Sequence, residues 1–138
     1  MTEDRSWTLI ELSPGHAPPA GAFSPAVEAA GLVLAYGQVP LDPVSGQWVK
    51  DRPLKEQGRQ VFSNLALTVG AAGLEVRDLA SVSVFLADTS HSGGVNKIFQ
   101  ECFSPRFPAP AVVGAALEGF LIEVAAVAVR SRPAEARR

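Results

Sequence analysis

The strongest pattern along the chain is the apolar stretch from Phe107 to Val129, FPAPAVVGAALEGFLIEVAAVAV. No charge occurs from Ala109 to Leu117, and Glu123 is the sole ionisable group from Gly119 to Val129. Runs rich in Val and Ala, broken at Leu117-Glu118-Gly119, predict two central strands covered on both faces. Glu123 is the anomaly. An unpaired buried carboxylate costs several kcal/mol, so it calls for a partner, a proton or water. Groups of this kind mark functional sites, and structural ion pairs use them too.

Earlier segments alternate between the two periodicities. Trp7 to Leu12 predicts a short edge strand, and Ser13 to Gly21 a Pro- and Gly-rich loop that carries His16. Phe23 to Ala29 and Leu32 to Pro40 predict a hairpin around Ala30-Gly31. LVLAYGQV is apolar on both sides, so its strand is expected to be central; Tyr36 within it is either a core tyrosine or a hydroxyl presented at a pocket. Asp42 to Gln47 is a turn, and Trp48-Val49 pairs briefly after it. Pro53 opens a helix whose stripe is Leu54, Val61, Leu65 and Val69, with Phe62 and Ala66. Gly73 caps it, and Asn64 beside the stripe reads as a surface or capping residue. Leu79 to Leu86 predicts a strand. A second helix, from about Gly94 to Phe103, is expected to bury Val95, Ile98, Phe99, Cys102 and Phe103. Cys102 would then be an inert core thiol.

The resulting order, β-ββ-α-β-α-ββ, is α+β: a mixed sheet with two helices on one face. The strands are apolar on both sides, yet the chain offers cover for one. A subunit partner is the expected cover, because obligate interfaces resemble a core cut in half.

Composition narrows the function. The chain has 138 residues, net charge −2 and a single cysteine. One domain over residues 1–132 with a polar tail at 133–138 is expected. The acidic balance advertises no nucleic-acid surface. A lone cysteine excludes an internal disulfide and fits a reducing cytoplasm. The polar start MTEDRSW predicts no signal peptide, and no apolar run reaches the ~18 residues that cross a membrane. His16 has no second His, Asp or Cys spaced to share a metal.

In order along the chain, several segments resemble one known family, RidA, also called YjgF. Gly37-Gln38-Val39-Pro40 with Asp42-Pro43 and Gly46 is similar to its SGQIP…P.TG segment. Gln60 to Leu74, with Asn64 and Ala71-Ala72-Gly73-Leu74, resembles its first helix and AGL exit. Val84 to Asp88 with Val95-Asn96 resembles VFV.D……VN, Phe107-Pro108-Ala109 resembles FPAR, and Ile122-Glu123-Val124 resembles IEIEA.

The resemblance implies a chorismate-mutase-like fold, a homotrimer and a small-molecule site in each intersubunit cleft. It also implies hydrolysis of reactive enamines and imines without metal or organic cofactor. Within it, Glu123 and Tyr36 are the candidate catalytic pair. Phe23, Ala35 and Gly37, then Asn96 and Arg106, then Pro110, Ala111 and Val112 are the candidate ligand-binding positions. The chain departs from the pattern at several of them. Pro110 stands where the family's carboxylate-binding arginine is found, Tyr36 where active members usually have serine, Phe23 where they have a pocket tyrosine, and Val112 where a cysteine is common. Glu123 is retained.

A guanidinium fork holds a carboxylate through two charge-assisted bonds, and proline offers no donor. The expectation is therefore a RidA-like homotrimer that handles or binds a small metabolite without standard imine deaminase activity. Two readings compete with it: a deaminase in which Arg106 replaces the missing arginine, and an enzyme of altered chemistry that uses Glu123 and Tyr36 in a biosynthetic pathway. The ribonuclease label carried by some relatives gains nothing from this acidic chain.

Overall fold

The structure, a computed structural model, describes residues 6–12 and 24–131. The loop carrying His16 and Phe23 and the expected tail at 133–138 lie outside the described residues. The strands are β1 (Thr8–Leu9), β2 (Ala26–Ala29), β3 (Leu32–Gln38), β4 (Leu79–Leu86), β5 (Ala109–Gly114) and β6 (Ile122–Val129). The helices are α1 (Leu54–Ala71) and α2 (Ser92–Phe103). One six-stranded sheet has the order β1-β2-β3-β6-β4-β5. Only β4 and β5 run parallel, which makes the sheet mixed.

Local chemistry sets the elements. β2 and β3 are joined by Ala30 and Gly31 at φ 52° and 79°, the pair of positive angles that a tight hairpin turn needs. Pro53 is the residue just before α1 rather than its first helical one, so its missing N–H falls among donors the helix cannot use. Gly73, at φ 78°, follows the C-cap of that helix, as expected. β4 spans the predicted residues, Leu79–Leu86. The Asp42 carboxylate accepts from the backbone N–H groups of Val44 and Ser45 at 2.9 and 3.3 Å, closing the turn before the Leu41–Trp48 bridge.

The core lies between one sheet face and the two helices. Val33, Val82, Val84, Leu86, Ile122 and Val124 are buried against Val61, Leu65 and Val69 of α1 and Ile98 of α2. Phe62, Phe99 and Phe103 meet edge to face, with ring centres 5.1–5.9 Å apart. Gly58 leaves the space that the Ile98 side chain occupies where α2 crosses α1.

Three expectations are corrected here. β5 is an edge strand, exposed along its whole length, rather than a central one. Hydrophobic composition reports that a strand is meant to be covered, and this chain alone does not cover β5. Cys102 is exposed, because it sits at the rim of the stripe formed by Val95, Ile98, Phe99 and Phe103. Its thiol is still partly shielded: desolvation, with the charge of Glu101 adding, raises its pKa. Asn64 is neither surface nor cap. Its amide donates to the carbonyl oxygens of Val39 and Leu41 at 2.9 and 2.7 Å, tying the chain after β3 to α1.

No helix among the described residues is long and apolar enough to cross a membrane.

Candidate functional site

Among the described residues, the two helices cover one face of the sheet and leave the other, the bare face, without a helix. Strand alternation puts Leu32, Leu34 and Tyr36 of β3 on it, together with Glu123, Ala125 and Val127 of β6 and Ser81, Ser83 and Phe85 of β4. Leu32, Tyr36 and Val129 are exposed large apolar or aromatic groups there, and Tyr36 is 61 % exposed.

Tyr36 owes its position to an interruption of β3. Ala35 pairs with Ala126 and Gln38 with Val124, so Tyr36 and Gly37 together oppose Ala125. This is a bulge, and Gly37 at φ 68° supplies the left-handed backbone it uses. The extra residue resets the alternation. Tyr36 faces outward on the bare side, while Gln38 turns inward and is buried. There its Nε2 donates to the Tyr36 carbonyl oxygen at 3.4 Å, and Thr68 of α1 places its hydroxyl 3.5 Å from the Gln38 Oε1. The Tyr36 N–H donates to the Pro25 carbonyl at 3.3 Å.

Glu123 stands on the next strand and is half-buried. Its cross-strand partner on β4 is Phe85, and Ser83 faces Ala125 one step along. It has no hydrogen-bond or ion-pair partner among the described residues, and no Glu123–Tyr36 hydrogen bond is formed. Burial pushes its carboxyl pKa above the ordinary carboxylate value, with no opposing charge to pull it back.

Behind the start of β6 lies a residue the sequence reading passed over. Gln57 of α1 is fully buried. Its Nε2 donates to the carbonyl oxygens of Lys50 and Arg52 at 3.2 and 2.7 Å, and its Oε1 accepts from the Leu121 N–H at 2.8 Å. It therefore fixes the segment entering Glu123. The signal was present: Gln57 lies three residues after Leu54 and four before Val61, a polar group at a core position of an apolar stripe.

The remaining predicted positions scatter around this face. Ala35 is buried on the helix side of β3. Pro110 and Val112 pair with Val82 and Val84 of the helix-side row, whereas Ala111 pairs with Ser83 of the bare row. Because β5 is an edge, both of its rows are open to solvent. Proline is tolerated there, since an edge strand has one side without ladder partners. Arg106 is exposed between α2 and β5, its N–H donating to the Phe103 carbonyl at 2.9 Å. Asn96 is exposed on α2, in the helix layer. The structure thus brings Tyr36, Gly37, Glu123 and Ala111 to one face, and leaves Ala35 and Asn96 on the other side of the sheet. Phe23 lies outside the described residues. Among the described residues, no three His, Cys, Asp or Glu side chains gather as a metal would require.

A mixed six-stranded sheet with two helices on one face, and a single charged side chain among the described strand positions of the other, defines an α+β class of small domain. The family model described as Endoribonuclease L-PSP matches residues 14–130. The chain belongs to this family, the YjgF/RidA family of the sequence resemblance.

The chain is 36 % identical over 122 residues to the 2-iminobutanoate/2-iminopropanoate deaminase of Rattus norvegicus, covering 86 % of this chain and 88 % of the relative. It is 33 % identical over 114 residues to a RutC family protein of Pyrococcus horikoshii, covering 81 % and 90 %. Among solved structures, the YjgF gene product from E. coli superposes with a TM-score of 0.80 at 27 % identity, covering 90 % of this chain and 99 % of that one. A Rid-family protein of unknown function, YyfA from Yersinia pestis, gives 0.81 at 28 % identity, covering 89 % and 98 %.

Proposed function

We propose that the chain forms a homotrimer in which each copy completes a cleft over the Glu123–Tyr36 face of the next, and that this cleft binds a small metabolite without the imine hydrolysis of arginine-bearing relatives. The observation that carries the reading is Glu123. It is a half-buried carboxylate without a partner among the described residues, on an apolar face that two helices leave open. A bare face of this kind resembles half of a subunit core. Relatives named as iminobutanoate/iminopropanoate deaminases support a reactive enamine, an imine or a related biosynthetic intermediate as the ligand class. Pro110 argues against the hydrolysis itself, because nothing at that position can fork onto a carboxylate. If the cleft does turn a substrate over, Glu123 is the group that would move the proton, and Tyr36 the one that would donate a hydrogen bond to the substrate.

Two measurements test this. Sedimentation at micromolar concentration is expected to give the mass of a trimer; a stable monomer would overturn the assembly and its site. An amino-acid oxidase that generates 2-iminopropanoate or 2-iminobutanoate, coupled to this protein, is expected to show no faster loss of the imine than the buffer alone. A rate near that of an arginine-bearing relative would overturn the reading of Pro110.

One observation favours a second reading. Arg106 is exposed and pairs with no carboxylate among the described residues, four positions before Pro110. If imine loss is fast and Arg106→Ala abolishes it, Arg106 is the replacement guanidinium and the protein is a deaminase.

A further inference from the structure

We propose that the occupant of this cleft is an organic cation, a protonated amine or iminium that carries no carboxylate, held by Glu123. The inference rests on the placement of the site just given and adds the charge of its ligand.

Glu123 is the only charged side chain at a bare-face position of the described strands. Its neighbours there are Phe85 and Ala125, with the hydroxyls of Ser83 and Tyr36 beyond them. The field on this face is therefore that of one anion in an apolar frame. A carboxylate ligand entering it would meet like charge and lose its hydration, with no guanidinium or ammonium at the strand positions of this face to replace it. A cation meets the reverse. It gives Glu123 the partner it lacks, and the hydroxyl oxygens of Ser83 and Tyr36 can accept from its remaining N–H groups. The desolvated state of the carboxyl agrees with this, since a low-dielectric setting strengthens whatever ion pair forms.

Arg106 lies off the strands, in the segment between α2 and β5, and Lys50 and Arg130 are engaged with other groups. Lys50 Nζ lies 4.2 Å from the centre of the Trp48 ring and donates to the Glu118 carbonyl at 3.3 Å. Arg130 is held by Glu28 through two bonds of 2.7 and 2.8 Å.

The test is calorimetric titration of the purified parent protein with three probes of one carbon skeleton: n-butylammonium, butyrate and zwitterionic 2-aminobutyrate. Butylammonium is expected to bind, and the other two to bind at least about tenfold more weakly, the loss of one charge-assisted contact. Glu123→Gln is expected to lower butylammonium affinity by about tenfold or more while sedimentation still reports a trimer. Butyrate or 2-aminobutyrate binding as tightly as butylammonium would overturn the inference, and so would a trimer that does not bind butylammonium. Both results leave the trimeric small-molecule reading standing. A Glu123→Gln protein that loses its trimer would assign Glu123 to an ion pair with a second copy and overturn the inference too. The comparison of the three probes on the parent needs no variant. A monomeric parent would overturn both readings together.

Discussion

Glu123 and Phe85 are cross-strand partners on the β6–β4 ladder, both on the side of the sheet that the helices leave open. Burial without a partner holds the carboxyl pKa above its ordinary value. The folded chain therefore keeps a proton there to higher pH than the unfolded chain does. Stability contributed by the protonated group is present at low pH and falls as pH rises through the folded pKa. Glu123→Gln is expected to raise the melting temperature at neutral pH, with the gain shrinking to nothing below about pH 4, where both states are protonated. A gain that does not change with pH would show that the carboxyl's ionisation is not its source.

Gln57 offers a second test. Replacing it with Ala orphans the carbonyls of Lys50 and Arg52 and the N–H of Leu121. A buried unsatisfied group costs about 1–3 kcal/mol, and these three bonds are only part-buried, so a total loss of about 1–3 kcal/mol in denaturant unfolding is expected. Gln57→Leu, similar in size, is expected to restore little of it. A loss below about 1 kcal/mol for Gln57→Ala would mean that water takes over the three bonds.

The far end of the sheet depends on Arg130. Its guanidinium binds Glu28 through two bonds, and the carbonyl of Ala72 at the end of α1 through a third at 2.7 Å. The hydrogen bond from Arg130 holds the Glu28 pKa below its ordinary value. This contribution to stability is present at neutral pH and disappears as pH falls through the lowered pKa. Glu28→Gln is expected to lower stability at neutral pH and to leave it unchanged below the lowered pKa, which flattens the acid limb of the stability–pH curve. Arg130→Lys should melt below the parent, because an ammonium cannot make the forked contact. A lysine variant as stable as the parent would reduce the clamp to simple charge proximity.

Cys102 is exposed, yet desolvation and the neighbouring Glu101 charge raise its thiol pKa. It is the only cysteine, so one reagent reads it without interference. Ellman's reagent at neutral pH is expected to react more slowly with the native protein than with the unfolded chain, since the thiolate is the nucleophile. Equal rates would show that the thiolate is as populated in the fold as out of it.

Much of the fold was legible because local chemistry wrote it. The hairpin at Ala30-Gly31, the bounds of β4 and the exit of α1 at Gly73 follow from turn geometry, alternation and helical spacing. β5 was misplaced because apolar composition records that a surface gets covered and not which molecule covers it. Cys102 was misplaced because a stripe has a rim, and a residue there is exposed or buried according to how α2 is rotated against its neighbours. Asn64 and Gln57 escaped because their partners are main-chain atoms, which no pattern of side chains records. At the site, Glu123 announced itself as a lone charge. The bulge that turns Tyr36 outward did not, since Gly37 reads equally well as an ordinary strand interruption.

Two of the side-chain amides of α1, those of Gln57 and Asn64, share a property that bears on how this protein can change over time. The Gln57 side chain hydrogen-bonds the backbone of Lys50, Arg52 and Leu121, and the Asn64 amide nitrogen that of Val39 and Leu41. Every residue type carries a carbonyl, and all but proline carry an N–H. The surface segments at one end of the sheet are thus gripped without regard to which side chains they bear. Mutation can rewrite their outward chemistry while the scaffold beneath stays in register, and a lineage can try new ligands there without first having to reinvent the fold.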